Sequence, residues 1–385
     1  MKIVIITISI LSFFIFNSPS TFRFEESNGI VNPDSSVTIS ISVVGDLMCH
    51  GPQFEYARVE KDSFDFSPVY RNVKKYLGSS DFTFGNLETV TAGKGNGGYT
   101  GYPFFNTPAS YITALKDVGF DLLVSANNHS LDRSEKGILK TIDEINKRTL
   151  NYVGTYTSQR DRDSIRIFDV KGIKIAVLAY SYGTNGNPIP KGKNYLINLI
   201  DYDLIGKDIQ SAKANGAELV LVHFHFGEEY KREPVQFQKD VVNKTIEFGA
   251  DIIIGGHPHV LQPVNFYKTN NAKLDSGFVA YSMGNFFSNQ RDRYKDAGMI
   301  LTINIRKDFV NNKIEISEVK YLPTWVFKGN TTKGKEYLIM PSTNITDTTI
   351  SLTKTENEKM NQAFNDTRYI ITKYTNNVKL REHRD

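Results

Sequence analysis

The sequence predicts an α/β fold, and three observations carry that prediction. Short apolar, β-branched runs alternate with longer stretches of helical periodicity through the middle of the chain. Some of those runs are apolar at every position, as strands buried on both faces are; Ile252–Ile254 is the clearest. Six runs pass directly into polar motifs, and in α/β sheets ligands bind at the carboxyl ends of strands.

The first element is Lys2 followed by the apolar run Ile3–Phe16. Its length suits a signal-peptide core or a retained N-terminal anchor, so residues 1–20 are read as a targeting segment and the protein as exported. Residues 21–36 are polar, contain Gly29 and Pro33, and read as a linker. Val37–Val44 is β-branched and alternating, a strand that ends in Gly45-Asp46. Pro68–Leu77 reads as a helix with proline in its first turn. Asp81–Phe84 is a short strand leading into Gly85-Asn86-Leu87-Glu88. Residues 91–103, with five glycines and two tyrosines, read as a mobile loop, a binding loop or a plain surface one.

Helical periodicity returns at Ser110–Val118 and stops at Gly119; the strand Phe120–Ala126 then delivers Asn127-Asn128-His129. Ser134–Arg148 carries Ile138, Leu139, Ile142 and Ile145 on one helical face. The alternation continues with strand Ile173–Tyr180, helix Asp201–Asn215, strand Glu218–Val222 before His223-Phe224-His225, and helix Pro234–Phe248. The strand around Ile252–Ile254 then runs into Gly255-Gly256-His257-Pro258-His259. Phe278–Ser282 leads into Met283-Gly284-Asn285, and strands Gly298–Ile305 and Ile314–Tyr321 follow. The domain is expected to occupy residues 37–330. Residues 331–385, rich in Thr, Asn and Lys, read as a polar tail with one helix near 353–373.

Composition narrows the function. Hydrophobic content of 40% and charge of 23% are those of an ordinary globular protein. A net charge of +4 is too small to argue for nucleic acid. The single cysteine, Cys49, excludes an intramolecular disulfide framework. Of the seven histidines, six sit in four short motifs: His50, His129, His223 with His225, and His257 with His259. His50 is left aside; with Asp46, Glu88, Asn128 and Asp132 the other five make a set of imidazole, carboxylate and amide groups without thiolate, and Glu228 and Glu229 after His225 read as ordinary polar residues. Such a set suits a harder divalent ion, Zn, Mn or Fe. The candidates are too many for one ion and fit two, about 3.5–4 Å apart and bridged by a carboxylate. Taken singly, Asp46 reads equally as a turn residue, and His129 with Asp132 as a helix-capping pair.

The motifs GDLMCH (45–50), GNLE (85–88), NNHSLD (127–132), HFHFGEE (223–229), GHPH (256–259) and SMGNF (282–286) together resemble the CapA family, the poly-γ-glutamate capsule synthesis proteins. That family looks like a branch of the calcineurin-like metallophosphoesterases. The resemblance implies a central β-sandwich flanked by helices, with a two-metal site at the strand ends. It implies Asp46, Glu88, Asn128, His223, His257 and His259 as metal ligands, His129 as the acid catalyst oriented by Asp132, and His225 and Asn285 as substrate contacts. Met48 stands where the superfamily's first motif has histidine, and Glu88 where it has a bridging aspartate. The implied function is synthesis, processing or export of an anionic polymer, with a membrane-bound polymer synthetase complex as partner. A non-catalytic role in that complex, and an exported phosphomonoesterase or nucleotidase acting on a phosphoester, are the alternatives.

Overall fold

The computed structural model describes residues 36–381, so the 1–20 targeting segment and all of the 21–36 linker except Ser36 lie outside the described residues. Strands β1 (Ser36–Leu47), β2 (Arg58–Glu60), β3 (Ser63–Phe64), β4 (Phe82–Leu87), β5 (Leu122–Val124) and β6 (Asn151–Val153) come first. They are followed by β7 (Ile167–Val170), β8 (Ile173–Ser181), β9 (Leu219–His225), β10 (Ile252–Gly256), β11 (Val264–Lys268) and β12 (Ser276–Ala280). The last are β13 (Asn285–Phe287), β14 (Ala297–Asp308), β15 (Lys313–Thr331), β16 (Gly334–Pro341) and β17 (Val378–Leu380). A nine-stranded sheet runs β16-β15-β14-β1-β4-β5-β6, with β13 beside β1 and β17 beside β15; a six-stranded sheet runs β11-β12-β10-β9-β8-β7. β1, β4, β5 and β6 are parallel, as are β8, β9, β10 and β12. The carboxyl ends of each group therefore share one edge.

The two sheets pack face to face. Ile39, Ile41 and Val43 of β1, Phe82 and Phe84 of β4, and Leu122 and Val124 of β5 share one core with Ile175 and Val177 of β8, Leu219 and Leu221 of β9, and Ile252 and Ile254 of β10. The intervening residues turn outward. Val220, Val222 and Phe224 meet Ile205 and Ile209 of the helix Tyr202–Ala214 and Val241 and Val242 of the helix Gln236–Phe248. Leu123 and Val44 meet Tyr111, Ile112 and Leu115 of the helix Ser110–Val118 on the other side. Both faces of the central strands are covered, which is why β5, β9 and β10 are apolar up to their carboxyl ends, while polar side chains such as Ser42 of β1 and Thr83 of β4 are buried and hydrogen-bonded. The chain is thus the expected α/β sandwich flanked by helices.

Two expectations are corrected. Pro68–Leu77 is not one helix but a 3₁₀ turn over Ser67–Tyr70 and a short α-helix, Lys74–Leu77. Residues 331–381 are not a tail. β15 continues past residue 330 and turns into β16, whose Leu338 and Met340 pack with Trp325 and Phe327. A long helix, Lys354–Ile371, capped by the reciprocal Thr353–Glu356 pair, adds Met360 and Ala363 to that cluster. The long helix is polar because it buries only one face, whereas Tyr337–Met340 of β16 are buried on both faces. Among the described residues no helix is long and apolar enough to cross a membrane.

Arg71 ties this segment to the domain through Asp347 Oδ2 at 2.6 Å and Glu336 Oε2 at 2.8 Å. Burial works to raise the Asp347 carboxyl, but hydrogen bonds from Thr349 and Arg71 bring it down to about 2. A carboxyl lowered in the folded state contributes stability that is complete above its unfolded value near 3.9 and is lost as pH falls toward 2. Arg71→Ala is therefore expected to lower the melting temperature at pH 7 and to narrow its gap to wild type at pH 2.5, as read by thermal scans at both pH values.

Candidate metal centre

The same alternation that builds the core builds the site. In β4 the inward positions run Phe82, Phe84, Asn86 and then Glu88; after β5 they run Leu122, Val124, Ala126 and Asn128. In β9 they run Leu219, Leu221, His223 and His225. Near the carboxyl ends each inward column changes from apolar to polar, so the top of the sandwich core becomes a polar cluster. β1 needs a correction to join it, because Asp46 falls on the outward count. Val44 pairs with Gly85 and Asp46 with Asn86, which leaves Gly45 as an extra residue in β1. This bulge shifts the phase by one and turns Asp46 inward. Only glycine fits there, since a Cβ would lie 1.9 Å from Gly284 O.

Asp46 is fully buried. Its Oδ1 accepts from Asn86 Nδ2 at 2.8 Å, and its Oδ2 accepts from His259 Nδ1 at 3.1 Å and from the His257 backbone N–H at 3.3 Å. Asn86 Nδ2 also donates to His225 Nδ1 at 3.1 Å, and His225 Nε2 donates to Asn128 Oδ1 at 2.8 Å. Glu88 Oε1 lies 3.5 Å from His225 Nε2 and 3.7 Å from His259 Nε2. The His257-Pro258-His259 turn is strained: φ is 95° at His257 and 56° at His259. Non-glycine residues held in that region cluster at functional sites. Gly256 makes room for the turn, as a Cβ on it would stand 2.7 Å from Asp46 Oδ1.

Two overlapping sets of donors result. Asp46, Glu88 and His259 bring ligand atoms within 4.8 Å of one another, and so do Glu88, His225 and His257; Glu88 is common to both. Asn128 adjoins the second through His225. Glu88 is fully buried and neither of its oxygens has a hydrogen-bond partner; buried His257 Nδ1 has none either. A buried carboxylate without partners is costly unless a cation compensates it. The residues present therefore fit divalent metal, and they fit it as a pair of positions.

Electrostatics agree. Burial pushes the Glu88 carboxyl well above the usual range, and the charge of Asp46 adds to the effect. Burial would raise Asp46 too, but His259 and Asn86 hold it well below the carboxylate range. His259 rises to about 9 because Glu88 and Asp46 outweigh its burial. Burial lowers His225 to about 3 and His257 to about 2, so both rings are neutral and able to bind metal at pH 7.

The structure separates the two histidines of β9 in the opposite sense to the sequence reading. His225 pairs with Gly256 at the sheet edge and joins Glu88 and His257. His223 pairs with Ile254, one repeat deeper in the sheet, and joins neither set. Asn285 is also a scaffold group: its Nδ2 donates to Lys295 O at 2.8 Å, Gln290 Oε1 at 3.0 Å and His259 O at 3.3 Å. His129 is buried, and its Nδ1 donates to Asp132 Oδ2 at 2.8 Å. The same oxygen accepts from the Phe105 backbone N–H at 2.7 Å, and the Phe105 ring stands edge-on to His129 at 4.7 Å. His50 joins neither set; its ring packs against the other side of the neighbourhood, 5.2 Å from Phe105. Asn86 was missed in the sequence, although its place two residues before Glu88 on the inward face would have found it. Three exposed tyrosines stand around the cluster: Tyr102 near His129, Tyr182 against His257 and Tyr230 near His259.

Comparison with known proteins adds to the geometry. The sequence profile of the family described as bacterial capsule synthesis protein PGA_cap matches residues 40–290, which include every residue of the cluster. The chain belongs to this family. Among its relatives is the capsule biosynthesis protein CapA of Bacillus anthracis, 31% identical over 269 residues, or 68% of this chain and 63% of that protein. Another is the PGA biosynthesis protein CapA of Bacillus subtilis (strain 168), 30% identical over 69% of this chain and 68% of that protein. The matched region thus spans about two thirds of the length of these CapA relatives. The NAD nucleotidase (NadN) of Haemophilus influenzae aligns at TM-score 0.47 with 12% identity, over 91% of this chain and 65% of its own. The calcineurin-like phosphoesterase YfkN of Bacillus subtilis aligns at TM-score 0.40 with 14% identity, over 87% and 99%. These two likenesses are too distant to bear on activity.

Proposed function

We propose that this CapA-family chain works in the synthesis, processing or export of an anionic capsular polymer of the poly-γ-glutamate type, by metal-assisted hydrolysis or transfer at an amide or ester bond. The observation that carries the reading is Glu88, a fully buried carboxylate with no hydrogen-bond partner, set among His225, His257 and His259. Asp46, Glu88 and His259 would hold one divalent ion, and Glu88, His225, His257 and Asn128 a second, with Mn, Fe and Zn all suited to the donors. When bound, such ions supply a nucleophile at neutral pH and polarise the bond under attack.

The chain's own part is proton transfer. Asp132 holds His129 at Nδ1, and Phe105, anchored to the same carboxylate, fixes the ring's plane. Nε2 is the nitrogen left to give a proton to a leaving group. This arrangement supports catalysis over a purely binding role. The apolar run at residues 3–16 supports export, and an exported site would be in reach of a membrane-bound synthetase.

His129→Ala in the full-length protein, expressed with its synthetase partners, tests the reading. Metal content by mass spectrometry is expected to stay at the wild-type level, while processing of the polymer slows by about 10²–10⁴-fold. Unchanged polymer length and yield would count against acid catalysis and in favour of a binding role in the complex.

A further inference from the structure

Glu229 was passed over as an ordinary polar residue, yet its carboxylate lies with ring nitrogens of His257 and His259 in a third set, all within 4.8 Å of one another. The two histidines belong to different donor sets beneath, His257 with Glu88 and His225, and His259 with Glu88 and Asp46. Glu88 reaches both sets from the buried side. Glu229 reaches a member of each from the other side, and it is the exposed member of the whole group.

Its position is built rather than incidental. Phe226 N–H donates to Gly256 O at 3.1 Å, and Tyr230 N–H donates to Pro258 O at 2.8 Å. These two backbone bonds fasten the loop after β9 to the histidine turn on either side of Glu229. Gly227 permits the bend: its φ is 111°, and a Cβ there would meet the Gln238 side chain at 2.6 Å. The ring of His257 is buried, and its Nδ1 has no hydrogen-bond partner among the described residues.

We propose that Glu229 is a second carboxylate ligand that caps the two-cation centre from the solvent side, and that an anionic oxygen of the substrate displaces it on binding. The inference rests on the metal reading above. It follows from position: a ligand on the open side of a centre otherwise enclosed occupies the direction from which substrate arrives. A carboxylate that binds there is itself an anion of the substrate's kind, so the two compete. Apparent affinity for a ligand is reduced by the fraction of protein in the competent state. Removing the competitor therefore strengthens anion binding even as it weakens the hold on metal.

The experiment compares wild type, Glu229→Gln and Glu228→Gln as full-length proteins, with Glu228, the exposed neighbour, as control. Titration calorimetry with Mn(II) is expected to show one of the two ions bound about tenfold or more weaker in E229Q, as loss of a group that supports a metal typically gives. Inorganic phosphate, titrated onto protein saturated with Mn(II), is expected to bind about threefold or more tighter to E229Q, which corresponds to Glu229 capping the wild-type site about two thirds of the time. E228Q is expected to match wild type in both. Weaker metal with unchanged or weaker phosphate binding makes Glu229 a fixed ligand and overturns the displacement. Metal affinity equal to wild type overturns the capping role, whatever phosphate does. Wild type that binds no Mn(II) sinks the metal reading itself, and is distinguished by failing before any variant is compared.

Discussion

Methionine at position 88 will abolish tight metal binding and, at the same time, make the metal-free protein more stable. In the absence of a cation the Glu88 carboxyl is buried with both oxygens unpartnered. A buried polar group in that state costs about 1–3 kcal/mol, and an apolar side chain of similar volume removes the cost. The neighbours keep their hydrogen bonds, and the one loss is the attraction between Glu88 and His259 across 3.7 Å. His259 keeps Asp46, and His225 keeps Asn86 and Asn128. The metal-free Glu88→Met protein is thus expected to melt a few degrees above metal-free wild type. Added Mn(II) or Zn(II) reverses the order, because only wild type gains the stabilisation of a ligand bound to the native state. Four thermal scans, each protein with and without metal, decide the matter. If chelated wild type melts above the variant, Glu88 is satisfied by something other than a cation.

The second large effect separates two histidines that are two residues apart. His225→Ala is expected to lose one of the two ions and at least about three orders of magnitude in turnover, since a catalytic ion's contribution runs to several kcal/mol. His223→Leu is expected to keep both ions and near-wild-type turnover. His223→Leu sets an apolar side chain beside Ile254 in the sheet and removes a buried, unpartnered nitrogen, so stability is expected to hold or rise. Metal counts on the purified variants give the answer without a substrate. If His223→Leu is the variant that loses metal, the order of the two rings at the sheet edge is the reverse of the one described.

That pair shows where sequence reasoning stops. Strand alternation puts His223 and His225 on the same face, so period alone cannot rank them. Which one stands at the edge depends on the register of β9 against Gly256 of β10, a relation between residues far apart in the chain. Glu229 escaped for a similar reason, because its proximity to the histidines is created by backbone bonds between two loops. What was local was legible. The helices at 110–118, 134–146 and 202–214 follow their apolar periodicity, and Gly119 ends the first in the left-handed conformation. β5, β9 and β10 were legible because two covered faces leave no polar positions before their carboxyl ends, and β1 because its residues alternate. β16 was not, since its apolar part is only the short run Tyr337–Met340 within a polar composition, and its pairing with β15 decides that it is a strand. Among the site residues, Asp46, Glu88, Asn128, His257 and His259 converge as expected, because each follows a strand of the parallel groups whose carboxyl ends share an edge.

The bulge at Gly45 means that the path of the backbone, and not the identity of residue 46 alone, decides whether an aspartate is available to the centre. A β1 of the same length with even alternation through position 45 would send Asp46 to the outer side of the sheet, towards the helix Ser110–Val118. Loss of Gly45 altogether would not, because Asp46 would then follow Val44 directly and stay inward. A side chain at position 45, which would stand against Gly284 O, is therefore the change that threatens the centre, and a sequence carrying it would still show the aspartate in its place.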